Sequence, residues 1–138
     1  MIKIGITGSI ASGKTTASKI LSLKRGPLYS ADEVVKKLYK RRDFQRIIYK
    51  KLNLKSKKNF KKEIIQKILD QKKTLKKLEN IIHPIVRREM LKFTLRNKTK
   101  SLLFFEIPLL IEKRLNKYFD IVIFVKSRED LRLKRYLS

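Results

Sequence analysis

The first apolar stretch, Ile2-Lys3-Ile4-Gly5-Ile6-Thr7, is short, rich in branched residues and runs straight into a Gly/Ser turn. That is the pattern of a buried strand. A helix is predicted next, over Lys14 to Leu23, with Ala17, Ile20 and Leu21 on one face. Gly26-Pro27 interrupts it, and Leu28 and Tyr29 open a second short strand. Strand, loop, helix and strand within about thirty residues is the size of one βαβ unit.

From Asp32 to roughly Leu95 the pattern is helical. Val34, Val35, Leu38 and Tyr39 share one face, and Phe44, Ile47 and Ile48 another. Ile64, Ile65, Ile68 and Leu69 continue the spacing, followed by Leu75, Leu78, Ile81 and Ile82. Pro84 sits where a new helix could start, since the first turn tolerates proline. Two continuous apolar runs follow, Leu102 to Ile107 and Ile121 to Val125. Continuous rather than alternating, they read as central strands of a parallel sheet. A last amphipathic stretch from Ser127 carries Leu131, Leu133 and Leu137. With no internal repeat or low-complexity linker, the expected architecture is an α/β sandwich. It has a parallel sheet of at least four strands and a helical insertion between the second and third.

Length and composition narrow the function. The 138 residues suit one domain with a real core. The absence of cysteine excludes disulfides and thiolate metal sites, and one histidine excludes a histidine cluster. No signal-peptide pattern opens the sequence and no run has the apolar length of a membrane span, so a soluble cytoplasmic protein is expected. The net charge of +25 invites a nucleic-acid reading. The excess is mostly lysine, however, scattered from Lys36 to Lys134 among many Ile, Asn and Tyr, as codon bias in an AT-rich genome produces. No recognisable module or Arg-aromatic interleaving accompanies it, which argues against nucleic acid as the partner. The dense lysines of the middle segment read most simply as solvated faces.

The chemistry is carried by Gly8-Ser9-Ile10-Ala11-Ser12-Gly13-Lys14-Thr15, which fits Gly-x-x-x-x-Gly-Lys-Ser/Thr between a predicted strand and a predicted helix. Gly8 and Gly13 allow the backbone angles and close approach that let successive N–H groups converge on phosphate oxygens. The helix N-terminus adds partial positive charge. Lys14 places an ammonium against the transferring phosphate, the Thr15 hydroxyl suits a Mg²⁺ bridging two phosphates, and Thr16 adds another hydroxyl.

A phosphate-binding loop alone does not separate a GTPase, an ATPase and a small-molecule kinase. The second strand ends in Ser30-Ala31-Asp32. Because parallel strands send their carboxyl ends into one crevice, Asp32 is expected across from the loop, where it can take the proton of an acceptor hydroxyl. The competing reading makes Asp32 the N-cap of the helix that follows.

Met1 to Asp32 resembles the opening of dephospho-CoA kinases, in which a Gly-Ser-Gly-Lys-Ser/Thr-Thr loop precedes a strand ending Asp-Ala-Asp. His83-Pro84-Ile85-Val86-Arg87 is similar to their His-Pro-x-Ile/Val-Arg segment, and Glu106 to Glu112 to their Asp-x-Pro-Leu-Leu-Phe-Glu strand end. Asp120 to Val125 matches the next strand, so the resemblance spans nearly the whole chain in order. It implies a P-loop NTPase three-layer sandwich whose helical insertion, over about 33–98, binds the acceptor, within one kinase domain over 1–138. The reaction it implies is transfer of the ATP γ-phosphate to the ribose 3′-hydroxyl of dephospho-CoA.

In that reading Ala11, Ser12, Gly13, Lys14, Thr15 and Thr16 bind ATP phosphates and Asp32 activates the hydroxyl. Arg87, His83 and Lys36 face the acceptor, Lys36 standing where the family has an arginine. His83 has a second reading, as a turn residue before a proline. Glu106 takes the place of the family's aspartate at the end of the third strand, to hold Mg²⁺ through water, while Pro108-Leu109-Leu110 shapes the pocket wall. On this resemblance the family's lid and adenine-binding part are expected to be shortened or absent, with Arg132 and Arg135 falling where the lid begins. The alternatives are another small-molecule P-loop kinase, such as a nucleotide kinase, a non-catalytic remnant, and a basic nucleic-acid-binding protein. The oligomeric state is not legible.

Overall fold

The computed structural model describes residues 1–8, 13–55, 59–108 and 116–126. Its strands are β1 (Ile2–Gly8), β2 (Leu28–Ser30), β3 (Leu102–Glu106) and β4 (Ile121–Val125). Its helices are α1 (Lys14–Ser22), α2 (Ala31–Leu38), α3 (Arg42–Lys51), α4 (Phe60–Asp70) and α5 (Lys73–Arg96), with a 3₁₀ turn at Asn116–Tyr118. The chain divides into two compact units: Met1–Asp32 with Met90–Ser138, and Glu33–Glu89.

The first unit holds a four-stranded sheet in the order β2-β3-β1-β4, parallel throughout. The α/β architecture expected from the apolar runs is therefore present. Strand β3 is central as expected, with Leu103, Phe104, Phe105 and Glu106 all buried. Strand β4 is not. Among the described residues it pairs only with β1, and Ile121, Val122 and Phe124 are 48%, 38% and 42% exposed. A continuous apolar run reports that a strand prefers burial on both faces. It carries no information on whether a neighbour lies beyond it.

Against the sheet lies an aromatic cluster. Phe105 contacts Tyr29, Phe93, Tyr118 and Phe119 with ring centroids 5.3 to 5.9 Å apart, in tilted or edge-on geometries that suit ring quadrupoles. Gly26 is needed for its lack of a side chain, since a Cβ there would lie 2.2 Å from the Leu102 carbonyl oxygen. That contact is with main chain and cannot relax, so the link from α1 to β2 passes β3 only as glycine.

Helix α1 departs from expectation. Ile20 is 63% exposed, and the buried positions are Ser18 and Ser22. Small side chains let the helix approach the sheet closely. Their hydroxyls are satisfied locally, Ser18 donating to the Lys14 carbonyl at 2.7 Å and Ser22 to that of Lys19 at 3.4 Å.

In the helical unit Leu38, Phe44, Ile48, Phe60, Ile64, Leu78, Ile82 and Val86 are buried. Tyr39 sits edge-on to Phe44 and Phe60, and burial pushes its phenol above the usual range. The new helix expected at Pro84 is not there: α5 runs through the proline unbroken. A proline interior to a helix loses its own N–H bond and crowds the carbonyl four residues back, at a cost of ~3 kcal/mol, which the burial of Leu78, Ile82 and Val86 on one face across this stretch offsets.

Candidate functional site

The strand register converges on one edge of the sheet. Ile6 is level with Glu106 and Ser30 is level with Glu106, so β1, β3 and β2 end side by side. The loop after β1, the carboxylate ending β3 and the aspartate two residues after β2 are therefore neighbours by topology. The crevice expected between the first two strands in sequence thus has β3 between them, and β3 contributes Glu106 to it.

Gly8 closes β1 and is buried. Ser9 to Ser12, and with them Ala11 and Ser12 of the predicted phosphate site, lie outside the described residues. Gly13 precedes α1 in the left-handed region, at φ 87° and ψ 18°. A glycine there has no side chain to cap its own helix, and the first turn of α1 carries no acidic residue. The first N–H groups and the positive end of the helix are thus offered to an anion. Lys14, Thr15 and Thr16 follow as that first turn.

Two contacts organise these residues. The Thr15 hydroxyl donates to Glu106 Oε1 at 2.7 Å, and Glu106 is only 2% exposed. The Lys14 ammonium lies 3.5 Å from Asp32 Oδ2 and donates to the Ile107 carbonyl at 3.4 Å. Lys14 is largely buried and Asp32 half-exposed, so the ion pair has one shielded side and one side open to a ligand. Asp32 does not cap its helix. It is the second residue of α2, which begins at Ala31 directly after β2, and its carboxylate is turned to Lys14. The sequence pattern missed Ile107, whose contribution is a main-chain carbonyl that no residue type announces.

Lys36, His83 and Arg87 lie in the helical unit. Lys36 is exposed on α2 and pairs with Glu33 at 3.6 Å. His83 is 5% exposed within α5, a helix interior and not a turn, and Arg87 is exposed one turn further along. Pro108 is half-buried just beyond β3, whereas Leu109, Leu110, Arg132 and Arg135 fall outside the described residues. Among the described residues no group of three or more acidic or histidine side chains forms a metal cage. Thr15 and Glu106 instead offer the sparse oxygen set that suits Mg²⁺, which keeps waters and draws most of its ligands from phosphates.

A parallel sheet, a Gly-Lys-Thr helix start and two carboxylates at the strand ends define a P-loop kinase. The family model described as dephospho-CoA kinase matches residues 2–138. The dephospho-CoA kinase of Rickettsia prowazekii is 37% identical over 144 residues, covering 100% of this chain and 72% of that protein. That of Fusobacterium nucleatum is 33% identical, covering 98% and 72%. The crystal structure of TT1252 from Thermus thermophilus superposes with a TM-score of 0.78 at 28% identity, over 99% of this chain and 71% of that one. The chain belongs to the dephospho-CoA kinase family, an ATP-using kinase family. This decides among the readings the sequence left open, against another small-molecule kinase and against a basic nucleic-acid-binding protein. No helix among the described residues is long and apolar enough to cross a membrane.

Proposed function

We propose that this chain moves the γ-phosphate of ATP onto the ribose 3′-hydroxyl of dephospho-CoA, releasing CoA and ADP, with Lys14 and Asp32 as its catalytic pair. The observation that carries the reading is their 3.5 Å contact at the end of the sheet. It sets a cation for the donor phosphates beside a carboxylate half-open to the acceptor. Asp32 takes the hydroxyl proton as the oxygen bonds to phosphorus, and the bond from phosphorus to the ADP oxygen breaks. Lys14 and the N–H groups of the α1 first turn stabilise charge on the phosphoryl oxygens.

A Mg²⁺ bound here would neutralise charge on the β- and γ-phosphates. Thr15 is its proposed ligand, with Glu106 accepting the Thr15 hydroxyl hydrogen bond and so leaving an oxygen lone pair for the metal. Gly8 and Ala11 to Thr16 are the proposed phosphate shell. His83, Arg87 and Lys36 form the proposed acceptor side, on a helical insertion of about 33–98 within a single kinase domain. The cytoplasm is the proposed compartment. The test is ATP-dependent CoA formation from dephospho-CoA, run beside Lys14→Ala and Asp32→Asn. Turnover reduced by about 10²-fold or more in both variants is expected, and a wild-type rate no higher than theirs refutes the assignment.

A further inference from the structure

An ammonium has three N–H donors and no acceptor. For Lys14 one is directed at the Ile107 carbonyl, and the ammonium also stands 3.5 Å from Asp32 Oδ2 as an ion pair, so its charge already meets two protein oxygens when a phosphate arrives. Both protein partners are held by the sheet. Ile107 is fully buried and its N–H donates to the Ile6 carbonyl at 2.9 Å, which fixes the direction of the strand end. Asp32 follows Ala31, also fully buried, immediately after β2. The lysine side chain thus reaches from the start of α1 to the ends of β3 and β2. Its charge is shared between a carboxylate and whatever anion the loop binds.

We propose that the Lys14–Asp32 pair sets nucleotide affinity, the carboxylate and the bound phosphates competing for one ammonium. Asp32 draws on the ammonium that grips the phosphates, so the donor is held less tightly than the loop alone would hold it. Lys14 in turn acts as a positioning residue for the Asp32 carboxylate, keeping it beside the phosphate to be moved. The use of that carboxylate as a base rests on the function proposed above, whereas the competition rests only on the geometry. Sharing of this kind limits ground-state binding of the donor, so binding energy remains for the transition state.

ADP affinity, measured without acceptor or turnover, tests the competition in wild type, Asp32→Asn, Lys14→Ala and the double variant. With Lys14 present, Asp32→Asn should tighten ADP by about three- to tenfold, the effect of freeing a partly shielded ion-pair partner. With Lys14→Ala, the same change should shift affinity by less than about twofold, the non-additivity that marks a direct interaction. Equal effects in the two backgrounds, or none where Lys14 is present, overturn the proposal. Should the double variant bind too weakly to measure, the ¹⁵N resonance of the Lys14 ammonium decides. It should move between wild type and Asp32→Asn, and an unmoved signal overturns the proposal. A wild type that makes CoA but shows no such competition refutes this inference alone. Competition in a protein that makes no CoA refutes only the function.

Discussion

Thr15 donates a hydroxyl hydrogen bond to Glu106 at 2.7 Å across 91 residues of sequence, tying the first turn of α1 to the end of the central strand. A carboxylate with 2% exposure is costly to bury without partners. The hydrogen bond to Thr15 offsets part of that cost.

Glu106→Gln keeps an acceptor for Thr15 and removes the charge. The Mg²⁺ concentration giving half-maximal turnover should rise about tenfold or more, in line with the loss of an outer-sphere metal partner. Thermal stability should hold or rise, because a buried charge is replaced by a neutral isostere. A magnesium titration alongside a melting curve checks both, and an unchanged magnesium requirement would remove Glu106 from the metal's surroundings.

Gly13 should tolerate no side chain. At φ 87° an alanine is strained by about 1 kcal/mol or more, and the strain falls on the residue that aims the first N–H groups of α1. Gly13→Ala should therefore weaken ADP binding by at least about tenfold while costing only about 1–2 kcal/mol of stability. Calorimetric titration and denaturant unfolding separate the two effects. Tight ADP binding in the variant would mean that the left-handed turn is not what shapes the loop.

Much of this site was legible in the sequence. Lys14 and Thr15 sit in a spaced motif between two periodic segments, and Asp32 follows a strand short enough to count. What was not legible depends on partners brought in from elsewhere. The exposure of β4 follows from its place in the strand order, which no local pattern encodes. The burial of Ser18 and Ser22 instead of Ile20 follows from how closely α1 lies on the sheet, and serine hydroxyls satisfied within the helix look polar in sequence. The Ile107 carbonyl belongs to the backbone, so it has no residue signature at all.

Pro84 illustrates the same limit in the helical unit, where a helix breaker was outvoted by the apolar face that continues on both sides of it. Its side chain is exposed within α5. Replacing it by alanine restores one main-chain donor and the preferred helical geometry. Pro84→Ala should raise the unfolding free energy by roughly 1–2 kcal/mol, part of the ~3 kcal/mol by which alanine exceeds proline in a helix interior. Urea unfolding measures it, and a loss of stability would show that the proline fixes a bend on which the packing depends.

The acid limb of stability should report Asp43. The Arg41 guanidinium, 2.6 Å away, and the Phe44 N–H hold its carboxyl below the ordinary value of 3.8. A carboxylate depressed in the folded protein stabilises it above the unfolded value, and that contribution is lost as the pH falls through the folded value. Asp43→Asn should therefore lower stability at neutral pH and leave it unchanged well below pH 3.8, a convergence visible in melting curves across the range. Parallel curves would mean that the pair contributes nothing at this exposed position.

His83 and Arg87 stand one turn apart on α5, and their exposure separates their expected roles. Arg87 projects into solvent, where a guanidinium is suited to bidentate recognition of a phosphate. Its removal should cost acceptor binding and little else. Arg87→Ala should raise KM for dephospho-CoA by about tenfold or more, with KM for ATP and the melting temperature nearly unchanged, the signature of a lost uniform-binding contact. His83 is 5% exposed, so His83→Ala should lower stability by about 1–3 kcal/mol through the void and the disturbed polar contacts it leaves. A stable His83→Ala protein whose KM for dephospho-CoA alone rises would instead place the imidazole against the acceptor.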